Sequence, residues 1–197
     1  MIDVKTIPIL NSSICSLKET SKDDHDGVDR YMTNSVLDVV NFDTVKKQYI
    51  EALSTQGLKI SESPASNDAF YANNGEMYFI EFKAGTMSKR KTYEVRRKIF
   101  DSLLILTDII NVGVSCTRQN LSYILVYNEK KNPLTQAERD ELQVSPSRTK
   151  IAKYFVGTKG QGNFIRFDLQ RFEKLYFKNV FTVTQQEFED DFVKNWV

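Results

Sequence analysis

The chain carries a single histidine, His25, and only two cysteines, Cys15 and Cys116, in 197 residues. A Ser-His-Asp triad, a Cys-His pair or a histidine-based zinc site would each have to use His25, which sits in a polar stretch, so those chemistries are all but excluded. Two cysteines without metal-ligand spacing build no disulfide framework and read as reduced thiols. No apolar run approaches the roughly 20 residues of a membrane span, and the opening MIDVKTIPIL lacks the basic and apolar regions of a signal peptide. A cytoplasmic protein with no membrane association is expected. No internal repeat is visible, and 27 basic against 26 acidic residues leave a net charge of +1. Any electrostatic argument for a nucleic-acid partner must therefore be local.

What is present is an ordinary globular composition, 41% hydrophobic and 12% aromatic, in a length that suits one well-buried core. Residues 1–30 read as an N-terminal extension, an extended segment followed by the charged stretch KETSKDDHDGVDR. Residues 31–197 read as a single α/β domain. The acidic stretch does not fit a calcium loop, because aligning Gly27 with the EF-hand glycine puts Lys22 and Thr33 at ligand positions.

From about Phe42 to Gln56 the residues Phe42, Val45, Tyr49, Ala52 and Leu53 share a helical face, with Gly57 as the stop. A long helix is predicted from about Lys91 to Ile110, striped by Ile99, Leu103, Leu106 and Ile110. Leu121 to Tyr127 reads as a buried strand, and Phe164–Leu169 and Tyr176–Val183 as two more. Thr135 with Glu138 and Thr184 with Glu187 form capping boxes, the second opening a helix with Phe188, Phe192 and Trp196 on one side; Ser147 is read as the cap of another helix carrying Ile151, Ala152 and Phe155. This order implies a mixed central β-sheet flanked by helices on both faces.

Between the two long helices lies DAFYANNGEMYFIEFKAG, in which Asn74-Gly75 is a strong type I′ hairpin signal. A two-residue turn there pairs Asn73 with Glu76, puts Phe70 opposite Phe79, and carries Asp68 opposite Glu81. Side chains alternate along a strand, so Asp68, Glu81 and Lys83 share one face while Ile80 and Phe82 point the other way. A one-residue slip would send the two acids to opposite sides of the sheet. Like charges across a ladder repel unless a cation lies between them. Two carboxylates suit a hard ion such as Mg²⁺, and a lysine beside it can orient water or neutralise charge building on a phosphate.

An Asp on one strand, a Glu-x-Lys on the next and a preceding helix resemble the core of the PD-(D/E)XK nuclease superfamily, over roughly residues 41–127. Asn67 stands where the name motif has proline. The resemblance implies a restriction-endonuclease-like fold and Mg²⁺- or Mn²⁺-dependent phosphodiester hydrolysis, with Asp68, Glu81 and Lys83 catalytic and Asp68 and Glu81 holding the metal. A third metal ligand from the preceding helix falls to Glu51 by position, although it points away from the apolar face; Asp38 and Asp43 compete with it.

Lys89, Arg90, Lys91, Arg96, Arg97 and Lys98 follow the motif, opposed by Glu94. They read either as a nucleic-acid-binding patch at the start of the long helix or as a solvated helix face. DNA is the expected partner, RNA and a protein the other candidates. Lys159, Gly160 and Gly162 make a weaker phosphate-loop candidate. The rival functional readings are a noncatalytic nuclease-like module and an interaction or immunity protein recognised through its aromatic C-terminal part.

Overall fold

The computed structural model describes residues 2–23, 30–144 and 164–196. His25 and the calcium-loop acids Asp24 and Asp26 lie outside them. So do Lys159, Gly160 and Gly162 and the helix expected after Ser147.

Six strands form one mixed sheet: β1 (Ile14–Ser16), β4 (Asp38–Asn41), β5 (Ala69–Asn73), β6 (Glu76–Lys83), β7 (Leu121–Tyr127) and β8 (Val180–Thr184), in the spatial order β1-β4-β5-β6-β7-β8. The first four are joined antiparallel, and β6, β7 and β8 run parallel. A separate two-stranded ribbon pairs β2 (Lys22–Asp23) with β3 (Arg30–Tyr31). The N-terminal stretch is not simply extended: it contains the helical turns α1 (Pro8–Asn11) and α2 (Leu17–Thr20), and it buries Leu10 and Leu17 completely.

Strand alternation divides the core in two. Val40, Phe70, Met77, Phe79, Leu121, Tyr123, Leu125 and Val180 face α3 (Phe42–Thr55) and α4 (Lys89–Ile109), meeting Phe42 and Val45 of the first helix and Val95, Ile99, Leu103 and Leu106 of the second. The alternate residues, including Tyr71, Tyr78, Ile80, Phe82, Ile124 and Val126, face the C-terminal helical segment and pack on Phe188, Phe192 and Val193. That segment runs through Gln185–Phe188, Glu189–Val193 and Lys194–Trp196, its middle piece wound as a π-helix. Helices thus cover both faces of a mixed sheet, as the pattern of elements predicted.

The local signals act as expected at several places. Gly57 ends the α3 region at φ 88°, where a β-carbon would be strained, while the start of that helix is fixed by Asn41, which accepts from Thr44 N and which sequence reading does not single out. Asn74 and Gly75 both take positive φ, 52° and 86°, as a type I′ turn requires. Thr184 and Glu187 form the reciprocal capping box. The long helix begins two residues earlier than predicted because Ser88 caps it, accepting from Lys91 N. After it come α5 (Val114–Asn120) and, beyond β7, α6 (Gln136–Val144).

The expected strand over Phe164–Leu169 does not form. Phe167 and Asp168 adopt left-handed φ of 59° and 60°, and Arg166 N bonds to the Thr182 side chain rather than to a ladder carbonyl. The following strand shortens to Val180–Thr184, with Lys174 at φ 62° turning the chain before it. Among the described residues no single helix is long and apolar enough to cross a membrane.

Candidate functional site

The β5–β6 register is the one the turn predicts: Asn73 faces Glu76, Phe70 faces Phe79 and Ala69 faces Ile80. Asp68 stands one residue before β5. Its carbonyl accepts from Phe42 N, and its carboxylate, rather than its main chain, makes the next link to the partner strand, accepting from Phe82 N at 2.7 Å. The approach to Asp68 is pinned from two helices. Ala65 N donates to Asp101 and Asn67 N to Ser102 Oγ, both at 2.7 Å, while the Ser66 hydroxyl bonds Asp43 of α3. These links fix the backbone from which Asp68 projects.

Asp68, Glu81 and Lys83 come together, and a fourth residue joins them. The Lys98 ammonium lies between the two acids, 3.0 Å from Asp68 Oδ1 and 2.7 Å from Glu81 Oε1; Lys83 Nζ is 2.6 Å from the same Glu81 oxygen. Glu81 is fully buried, whereas Asp68, Lys83 and Lys98 keep 18%, 18% and 23% of their side chains exposed. The cluster therefore opens to solvent on the side of Asp68 and the two lysines. Burial, and next the neighbouring Glu81 charge, push the Asp68 carboxyl up to about 6. Lys98 stays firmly protonated, because the pull of the two carboxylates outweighs its own burial.

Glu81 Oε2 is buried with no hydrogen-bond partner among the described residues, and so is the hydroxyl of Tyr123. Tyr123 occupies the same face of the sheet, and burial, Glu81 and Asp68 together drive its hydroxyl well above the ordinary tyrosine range. Asn67, fully buried beside Asp68, leaves both its side-chain polar atoms unpaired. Buried polar atoms are normally satisfied, so three orphaned side chains at and beside one charged cluster set it apart from the rest of the core.

Of the acids considered for the helix position, Glu51 is exposed on α3 and the structure does not bring it to the pair. Among the described residues no three His, Cys, Asp or Glu side chains gather as a metal-holding group. Asp43, at the start of α3, is the acid of that helix that feels the Lys98 charge, together with its nearer partners Ser66 and Lys46. The available set for a cation is thus the two carboxylates Asp68 and Glu81. A divalent ion that keeps several waters fits such a set, and the orphaned Glu81 oxygen is a free acceptor for it.

The basic residues after the motif disperse. Arg90 and Lys91 pair with Glu94 and hold its carboxyl down at about 2. Arg96 binds Asp168 at 2.7 Å, Arg97 binds Glu62 at 2.6 Å, and Lys98 turns inward. Lys89 is exposed at the helix start. Lys91 also lines a cavity of about 390 Å³ with Lys22, Asp23, Asp68, Phe82 and Lys83. That volume lies in the range of small-ligand sites.

The inward position of Lys98 escaped sequence reading, although a signal existed. Val95, Lys98, Ile99 and Ser102 recur at helical spacing, so a lysine on the buried stripe should pair with buried acids. No protein-family model, curated protein or solved structure matches the chain.

Proposed function

We propose that the chain is a metal-dependent phosphodiesterase of the PD-(D/E)XK type acting on nucleic acid, with DNA as the substrate and Mg²⁺ or Mn²⁺ as the ion. One observation carries this reading: Lys83 lies 2.6 Å from Glu81, Lys98 links Glu81 to Asp68 across the hairpin, and Asp68 and Lys83 line a solvent-connected cavity. Asp68 and Glu81 would hold the ion, which supplies Lewis-acid stabilisation of a phosphate and a more acidic water. Lys83 sits at the cavity wall with its ammonium braced on Glu81, where it can donate to a phosphate oxygen or orient the attacking water. Lys22 and Lys91 line the same space and suit the backbone of a polyanion.

The experiment is incubation of purified protein with plasmid DNA, single-stranded DNA and RNA in Mg²⁺ or Mn²⁺, beside Lys83→Ala. Cleavage by the wild type, reduced about a hundredfold in the variant, is the expected result. Equal cleavage by both removes Lys83 from the mechanism. No cleavage of DNA or RNA by the wild type in either ion overturns hydrolysis.

A second reading, a noncatalytic module that binds nucleic acid or a protein, is favoured by Lys98. Its ammonium, together with that of Lys83, already balances the two carboxylates, so the folded chain does not depend on a metal for charge balance. Nucleic-acid binding unchanged by chelation, without turnover, would distinguish it.

A further inference from the structure

We infer that Lys98 is the resident cation of the acid pair, and that a divalent ion enters only by displacing it into contact with a bound polyanion. The inference rests on the reading that Asp68 and Glu81 can hold a metal. It goes further in making metal and nucleic acid bind cooperatively through one side chain.

Two carboxylates and two ammoniums make the cluster neutral, and Lys98, alone among the described residues, pairs with both acids, at 3.0 and 2.7 Å. An added dication would leave it with two uncompensated positive charges in a largely buried place, which is costly. Lys83 is not the residue to leave, because it touches only Glu81 and already faces the cavity. Lys98 has a way out: its side chain is 23% exposed and grows from α4, in whose first turn Lys91 lines the cavity that Asp68 and Lys83 also border. Once displaced, its ammonium needs an anion. The acids nearby are engaged, Asp43 with Lys46 and Ser66, Glu94 with Arg90 and Lys91, and Asp23 of the cavity wall in an interaction of its own. A phosphate of the ligand in the cavity supplies that anion. Metal and polyanion then each raise the affinity of the other by the same factor.

Calorimetric titration of Mn²⁺ into the intact chain tests this, with and without a phosphorothioate DNA oligonucleotide, for wild type, Lys98→Gln and Lys98→Arg. Wild type and Lys98→Arg should take up Mn²⁺ about tenfold more tightly when the oligonucleotide is present. Lys98→Gln should bind Mn²⁺ at least about tenfold more tightly than wild type in its absence, and lose the coupling. Should Lys98→Gln fold only when Mn²⁺ is added, seen as a metal-dependent melting transition, the inference is supported equally. It is overturned if Lys98→Gln and wild type bind Mn²⁺ alike, or if neither binds it. Tight Mn²⁺ uptake by Lys98→Gln with no strand cleavage by any form would leave the Lys98 assignment standing and remove the hydrolytic reading. Mn²⁺-driven cleavage with affinity unmoved by Lys98→Gln would do the reverse.

Discussion

Among the described residues two largely buried ionic clusters can be compared, and they are finished differently. Arg166, with 5% of its side chain exposed, donates to both Glu138 oxygens at 2.8 and 3.1 Å and to the Asn132 and Pro133 carbonyls, and it lies over the Tyr127 and Phe167 rings. The guanidinium is a planar fork whose donors have been matched one by one. Around Asp68, Glu81, Lys83 and Lys98, by contrast, an oxygen of a fully buried carboxylate has no donor, and two neighbouring side chains also carry unpaired polar atoms. A cluster that is closed locks loops together. One that is left open retains binding capacity, and that contrast is why the acid pair, and not the arginine, is the candidate site.

The closed cluster should be the more costly to break. Arg166→Met leaves Glu138 and two carbonyls without their donor and should lower unfolding free energy by about 3 kcal/mol in urea titrations. A loss under about 1 kcal/mol would show that its hydrogen bonds merely replace solvent.

The open cluster should instead announce itself through pH. The Asp68 carboxyl is raised from 3.8 to about 6, so between those values the folded chain keeps a proton that the unfolded chain has released. This group's contribution to stability is therefore complete below 3.8 and is lost as pH rises through about 6. Its size is on the order of 2 kcal/mol, and Asp68→Asn should flatten that part of the stability profile. An identical profile in the variant would mean that Asp68 is ionised throughout, held by Lys98. The smallest effect concerns how the closed cluster is built. Thr135 accepts from Glu138 N while Glu138 accepts from Thr135 N, so the capping box also aims the carboxylate at Arg166. Thr135→Ala should cost about 1 kcal/mol with no change at the acid pair, measurable by thermal melting and by Mn²⁺ titration of the same protein.

Local signals with one physical outcome were legible. Asn-Gly has few alternatives to a tight hairpin turn, and once that turn is set the register of Asp68, Glu81 and Lys83 follows by counting. LSYILVY carries one small polar residue, Ser122, in an otherwise apolar and aromatic run, and β7 covers the same residues, Leu121–Tyr127. The segment around Arg166 misled because its apolar residues alternate as in a strand. The arginine's partners lie in distant parts of the chain, and the backbone that reaches them leaves the extended conformation.

What the sequence alone determined, then, is the pairing of β5 with β6, the two long helices, and the gathering of three charged residues on one face, because each depends on neighbours within a hairpin or a helical turn. What only the tertiary structure decided is which charges reach the pair from elsewhere. The packing of α4 on the sheet carries Lys98 between Asp68 and Glu81 and leads Arg96 and Arg97 to acids of other segments, while Glu51 stays at the surface. Such contacts join residues far apart in the chain, and their geometry exists only once the apolar faces of helix and sheet have been brought together.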